Sequence, residues 1–184
     1  MARYSPGAIA NHFLELSGRD QNPLTPMQLL KLVYISHGWH LATTGEPLFD
    51  ECVEAWKYGP VIPSLFHEFK RFGGSAITEL AFVPVSKSSV EGYPELSFDS
   101  EAPFINKKDE KTKQLLEWVW RSYGKKDGWE LSRLTHLPDT PWSQAVEAMR
   151  RSAPAGVWTP AYTIDNESIR KHYVDLWAKR HGGA

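Results

Sequence analysis

Thr25-Pro26-Met27-Gln28-Leu29-Leu30-Lys31-Leu32-Val33-Tyr34-Ile35-Ser36-His37-Gly38-Trp39-His40-Leu41-Ala42-Thr43-Thr44-Gly45 is the stretch that decides the fold. Thr25 and Pro26 form a start signal: a capping hydroxyl, then a residue whose fixed φ suits the first helical position. Gly45 supplies the stop. Leu30, Val33, Tyr34, His37 and Leu41 make one face, while Leu29, Leu32 and Trp39 cover much of another. A helix that is apolar nearly all round is a buried one. The rest of the chain is therefore expected to wrap it.

Working outward, Ser5-Pro6 repeats the start signal, and Ile9, Phe13 and Leu16 hold helical spacing up to Gly18. Val53 to Tyr58 alternates and predicts a short strand, with Gly59-Pro60 as its turn. Ile62, Leu65, Phe66, Phe69 and Phe72 return to helical spacing before Gly73-Gly74. Residues 75–106 hold a candidate strand, Ile77 to Val85, and several prolines, which suits a hairpin or long loop. A strong helix follows from about Lys107, with Leu115, Leu116, Val119, Trp120 and Tyr123 inward. A short helix carries Trp129, Leu131 and Leu134, and Pro141-Trp142 opens another with Ala145, Val146 and Met149 inward. Val157 to Ile164 is a possible strand. Asp165 or Asn166 then caps a last helix whose inward residues are Ile169, Tyr173, Leu176 and Trp177. The expected fold class is α+β, mainly α: six to seven helices with a small antiparallel β element. The expected domain is a single one over 1–184, with a variable loop or hairpin at about 75–106.

Composition bounds the function. The 184 residues are enough to bury a core without staples. Lys plus Arg number 21 against 22 Asp plus Glu, a formal charge of −1, which argues against nucleic-acid binding by bulk electrostatics. The charge is uneven: 1–106 is net acidic and 107–184 net basic. One cysteine excludes a disulfide framework and a Cys-based zinc site, and suggests a reducing compartment. No run is apolar for 18 residues, and Met1 to Gly18 is amphipathic rather than a signal-peptide core, so a cytoplasmic protein is expected. Eight Trp, seven Tyr and eight Phe are a heavy aromatic load, suited to a core or to interface anchors.

No catalytic constellation stands out. His37 and His40 lie one turn apart, with Asp50 and Glu51 ten residues on, but the spacing matches no common metal motif, and a hydrogen-bonded core histidine is the commoner role for His37. Cys52 lacks a glycine-flanked elbow and reads as core. No phosphate-binding glycine motif is present. Glu51 and Glu54 are expected to face water. Lys31 is more informative, because an unpaired ammonium is not easily buried in so apolar a helix. Either its stem snorkels to the surface, the expected case, or its charge is paired, and the functional reading is that Lys31 lies at the rim of an exposed groove. Two stretches combine stiff backbone with aromatics: Ala55-Trp56-Lys57-Tyr58-Gly59-Pro60-Val61-Ile62-Pro63, and Leu131-Ser132-Arg133-Leu134-Thr135-His136 with Pro141-Trp142. On a continuous strand Trp56 and Tyr58 would share a face. Rigid aromatics beside Arg and Lys are the material of protein-binding hot spots.

Together these segments resemble one family. Leu24 to Tyr34 with Gly38-Trp39 is similar to the "LTPMKLQKLLYFAHGW" opening of the Panacea antitoxin domain, the SocA-like or phage-associated proteins. Pro47-Leu48-Phe49 and Ala55 to Pro63 resemble its second signature, "AWKYGPVIPSLY", and Leu131 to His136 with Pro141-Trp142 its third, "LSxxTHxxxPW". The resemblance runs from about Pro6 to Met149. It implies a bacterial or phage antitoxin that neutralises a cognate protein toxin by direct contact, with no catalytic residues, cofactor or metal. An adaptor role, delivering the toxin to a AAA+ protease, is the alternative it carries. Self-association is left open, and a membrane or nucleic-acid partner is not expected. The candidate partner-binding residues are Lys31, Tyr34, Trp56, Tyr58 and His136. Two further rivals are a metal-dependent enzyme using the His37/His40/Asp50/Glu51 group, and a DNA-binding regulator built on residues 5–44; the acidic first half disfavours the latter.

Overall fold

The computed structural model describes residues 4–84, 100–152 and 162–182. Among them are seven helices: α1 (Pro6–Arg19), α2 (Pro26–Thr44), α3 (Pro63–Phe69, continued by a 3-10 turn, Lys70–Phe72), α4 (Glu110–Tyr123), α5 (Gly128–Thr135), α6 (Pro141–Ser152) and α7 (Asn166–His181). Five short strands accompany them: β1 (Val53–Trp56), β2 (Gly59–Val61), β3 (Val83–Pro84), β4 (Ser100–Glu101) and β5 (Thr163–Ile164). The class is α+β and mainly α, as the helical periodicities predict.

α2 is the axis. It packs against α1, α3, α4, α5 and α7, and against β2. Every residue from Leu29 to Leu41 is buried. The expected caps form: Ser5 Oγ accepts from Ala8 N–H, and Asp165 from Ser168 N–H. At Thr25 the side chain and Gln28 close a capping box around the start of α2. α7 crosses α2 at Gly38, where a methyl group would overlap the Tyr173 ring. Around this crossing Trp39 meets Trp118 and Tyr173 edge-on, each with ring centroids 5.1 Å apart. Such pairs add to the transfer energy of burial.

Strand order in the main sheet is β2-β1-β5, all antiparallel. Val53 pairs with Ile164 and Trp56 with Gly59. β3 and β4 form a separate two-stranded ladder, and of the candidate strand Ile77 to Val85 only Val83–Pro84 is strand among the described residues. Residues 85–99 of the expected loop or hairpin, and 157–161 of the possible tail strand, lie outside the described residues.

Four local readings are corrected. The β1–β2 turn is Lys57-Tyr58, because pairing Trp56 with Gly59 leaves two residues to make it and puts Gly59-Pro60 in β2. Trp56 and Tyr58 therefore do not sit on one continuous strand. Cys52 is exposed rather than core, since it precedes β1 in the connection from α2. Trp177 is 49% exposed, lying at the outer edge of the α2–α7 contact against His181. Lys31 does not snorkel outward: it is 2% exposed, because the β1–β2 hairpin lies over it.

Candidate functional site

Lys31 fixes the site. Its Nζ donates to the Pro60 carbonyl at 3.1 Å, and desolvation lowers its pKa from 10.5 to about 7. The hairpin reaches it through Gly59, whose φ of +108° suits glycine. A Cβ at Gly59 would come within 2.9 Å of both Lys31 Cε and Thr135 Oγ1. Close approach and backbone conformation thus demand the same residue.

α5 and α6 hold the hairpin from behind. Ser132 Oγ donates to the Tyr58 carbonyl at 3.1 Å, and Trp142 Nε1 donates to the Trp56 carbonyl at 2.8 Å. His136 ends α5 with Nδ1 2.6 Å from the Ser132 carbonyl, and its ring lies against Trp142 with centroids 3.8 Å apart. The three stretches singled out in the sequence therefore meet: the second lies over the first and is pinned by the third.

A groove of about 540 Å³ opens beside this junction. One wall is α2, through Pro26, Met27, Leu30 and Lys31. The hairpin contributes Trp56, Lys57, Tyr58 and Val61, and the far side is Phe66, Lys70 and Gly73. Trp56 packs edge-on against Phe66 at 4.7 Å, and its Nε1 donates to Glu54 Oε2 at 2.7 Å, which fixes its ring. Tyr58 stands at the rim, 50% exposed, edge-on to Trp129 at 6.0 Å; Trp129 is itself 62% exposed. Three of the lining side chains are lysines and none is acidic.

Of the five residues singled out in sequence, Lys31, Trp56 and Tyr58 line this groove. His136 lies behind the turn, with Nε2 3.5 Å from the Lys57 carbonyl. Tyr34 faces elsewhere: it is buried edge-on to Tyr173 at 6.3 Å and lines a different cleft beside α5 and α7, and burial pushes its phenol pKa up. Met27, Phe66, Lys70 and Trp129 were missed. Met27 was detectable, four residues before Lys31 on α2. The others read as ordinary helical periodicity or solvated charge.

The His37/His40/Asp50/Glu51 group does not converge. His37 Nε2 pairs with Asn166 Oδ1 at 2.9 Å and its ring stacks on Phe49 at 4.1 Å. Burial lowers its pKa to about 4. His40 Nδ1 turns to the Glu46 carbonyl at 2.7 Å, and Glu51 accepts from Ser64 N–H at 2.8 Å. Among the described residues no three His, Cys, Asp or Glu side chains gather around a metal-sized point. No described helix is long and apolar enough to cross a membrane.

The chain matches the family model described as antitoxin SocA-like, Panacea domain, over residues 29–143. It is similar to antitoxin SocA of Caulobacter vibrioides (strain NA1000 / CB15N), with 29% identity over 135 residues. That match covers 73% of this chain and 66% of the relative, slightly under two thirds of its length. No solved structure matches the chain.

Proposed function

Because the chain belongs to the antitoxin SocA-like, Panacea domain family, we propose that it neutralises a cognate protein toxin by direct binding, through the face that carries the Lys31–Trp56–Tyr58 groove. One observation carries this placement. The matched span holds the second and third converging stretches whole and the first from Leu29 onward, and their product is an open, aromatic-rimmed groove rather than a closed core. Large rigid aromatics around a desolvated pocket are where binding energy concentrates at interfaces. On this reading the antitoxin occludes the toxin's working surface, and inhibition follows its affinity by mass action. Tyr58 and Trp56 are contact residues, Lys31 a floor contact and His136 a brace for the hairpin. Tyr34 supports α7. The protein acts in the cytoplasm as a single folded unit and as a binder rather than a catalyst.

The experiment is genetic and biochemical together. The neighbouring reading frame is expressed alone and then with this chain. Growth arrest relieved by co-expression, with both products co-purifying, is the expected result. Arrest that this chain cannot relieve sinks the proposal. Toxin levels are followed in the same cultures: relief with unchanged toxin half-life supports occlusion, and relief with a shortened half-life replaces it by delivery to a AAA+ protease.

A further inference from the structure

We propose that the groove receives an acidic side chain, aspartate or glutamate, carried on an apolar segment of the protein partner, with Lys31 as the buried receptor for its carboxylate. The inference rests on the antitoxin reading and specifies what the partner must present.

Lys31 carries the argument. An ammonium has three N–H donors. One is used on Pro60 O, and no acceptor for the other two is found among the described residues. No carboxylate lies within ion-pair reach of Nζ there, and the side chain is almost fully buried. A charge so placed is costly unless it is paired. Desolvation alone moves the amine toward neutrality, which is the signature of a cation without its counterion.

The surroundings define that counterion. Met27, Leu30, Trp56, Val61 and Phe66 give the groove apolar walls. A carboxylate among them would meet Lys31 at low local dielectric, where pairing is strongest. The volume holds several side chains, so the occupant is a peptide segment rather than a small ion. Lys57 and Lys70 are exposed at the edges. One buried and two peripheral amines, with no acidic side chain in the lining, complement a segment bearing more than one acid. A free C-terminal carboxylate would bring a single charge to Lys31 and leave the outer two unmatched.

The test uses the full chain and pools of amidated, fluorescein-labelled decapeptides, randomised around a fixed Leu-Z-Phe centre with Z as Glu, Gln or Lys. A further pool has Z as Leu and a free C-terminal carboxylate. Binding is read by fluorescence polarisation. The Glu pool is expected to bind about tenfold tighter than the Gln pool, as a charge-assisted hydrogen bond predicts, and Lys31→Met should remove that preference. Equal binding of the Glu and Gln pools, a preference surviving in Lys31→Met, or the tightest binding by the free-carboxylate pool overturns the proposal. The Lys31 Nζ resonance of the wild-type chain at pH 8 gives an answer independent of the variant's folding. Glu-centred peptides should shift it toward the protonated form, and an unmoved resonance counts against the proposal. Relief of toxin arrest without a Glu preference overturns this inference and leaves the antitoxin reading standing. A Glu preference in a chain that relieves no arrest overturns the antitoxin reading and leaves the groove chemistry standing.

Discussion

The two halves of α2 meet their surroundings differently. Around Trp39, in the C-terminal half, α4 and α7 close over the helix with ring against ring, and Gly38 makes room for Tyr173. Around Lys31, in the N-terminal half, the covering element is a thin hairpin, held by hydrogen bonds from α5 and α6, and a groove stays open beside it. Both halves are buried and rich in aromatic neighbours. One half is closed over by the chain itself, although Trp39 Nε1 and His37 Nδ1 stay without partners inside it among the described residues; in the other, the unmatched donors of Lys31 border an open groove. Burial measures enclosure, and function is better sought where unsatisfied chemistry borders a groove that a partner can enter.

The largest effect should come from the closed half. Trp39→Ala deletes the hub of an aromatic cluster and is expected to cost about 3–5 kcal/mol of stability in urea unfolding. A loss under about 1 kcal/mol would show that α4 and α7 close over α2 without it, and the contrast between the halves would fail.

The second effect is acid sensitivity in the same half. The folded pKa of His37 is about 4, against 6.5 for an ordinary histidine. Between those values the unfolded chain binds the extra proton, so stability falls as pH drops from 6.5 toward 4. The His37 contribution is about 3 kcal/mol. An NMR titration in which the His37 imidazole protonates near 6.5 in the folded chain would break the prediction.

The third effect belongs to the open half and has the opposite pH window. Lys31 titrates at about 7 when folded and near 10.5 when unfolded. Through that window the unfolded chain again holds more protons, so stability rises with pH, by about 2 kcal/mol from pH 7 to 9. Lys31→Met should abolish this slope and leave the chain as stable as wild type or more so at pH 7, because an unpaired buried charge is replaced by an apolar side chain of similar length. A variant that keeps the slope would assign it elsewhere.

How much of this was legible depends on range in sequence. α2 was readable because its signals are local: a cap, a proline, an apolar surround and a terminal glycine. The three stretches around the groove were likewise visible as motifs. Their meeting was not, because it depends on hydrogen bonds such as that from Ser132 to Tyr58, 74 residues apart. The depth of Lys31 was misread for the same reason. Snorkelling assumes open space above the helix, and the hairpin that occupies it is contributed by residues some 25–30 positions later. The turn was misplaced by two residues because strand pairing, not the glycine-proline pair, sets where the chain reverses. Trp129 reads as a core residue by periodicity, yet α5 is short and presents it at the rim beside Tyr58.

The smallest expected change in stability is the most informative about function. Tyr58 is half-exposed in a turn, and the hydrogen bond from Ser132 goes to its backbone carbonyl, which alanine retains. Tyr58→Ala should therefore change stability by no more than about 0.5 kcal/mol. The ring itself touches Trp129 and the Lys57 ammonium, 5.2 Å from its centroid, and otherwise faces the groove. If the open half of α2 is the binding half, losing that ring removes a rim anchor, and toxin rescue should fall sharply while the unfolding midpoint stays put. Rescue equal to wild type would move the contact off this rim. Rescue lost only in step with stability would make Tyr58 a strut of the hairpin, and the open half would then differ from the closed one in packing alone.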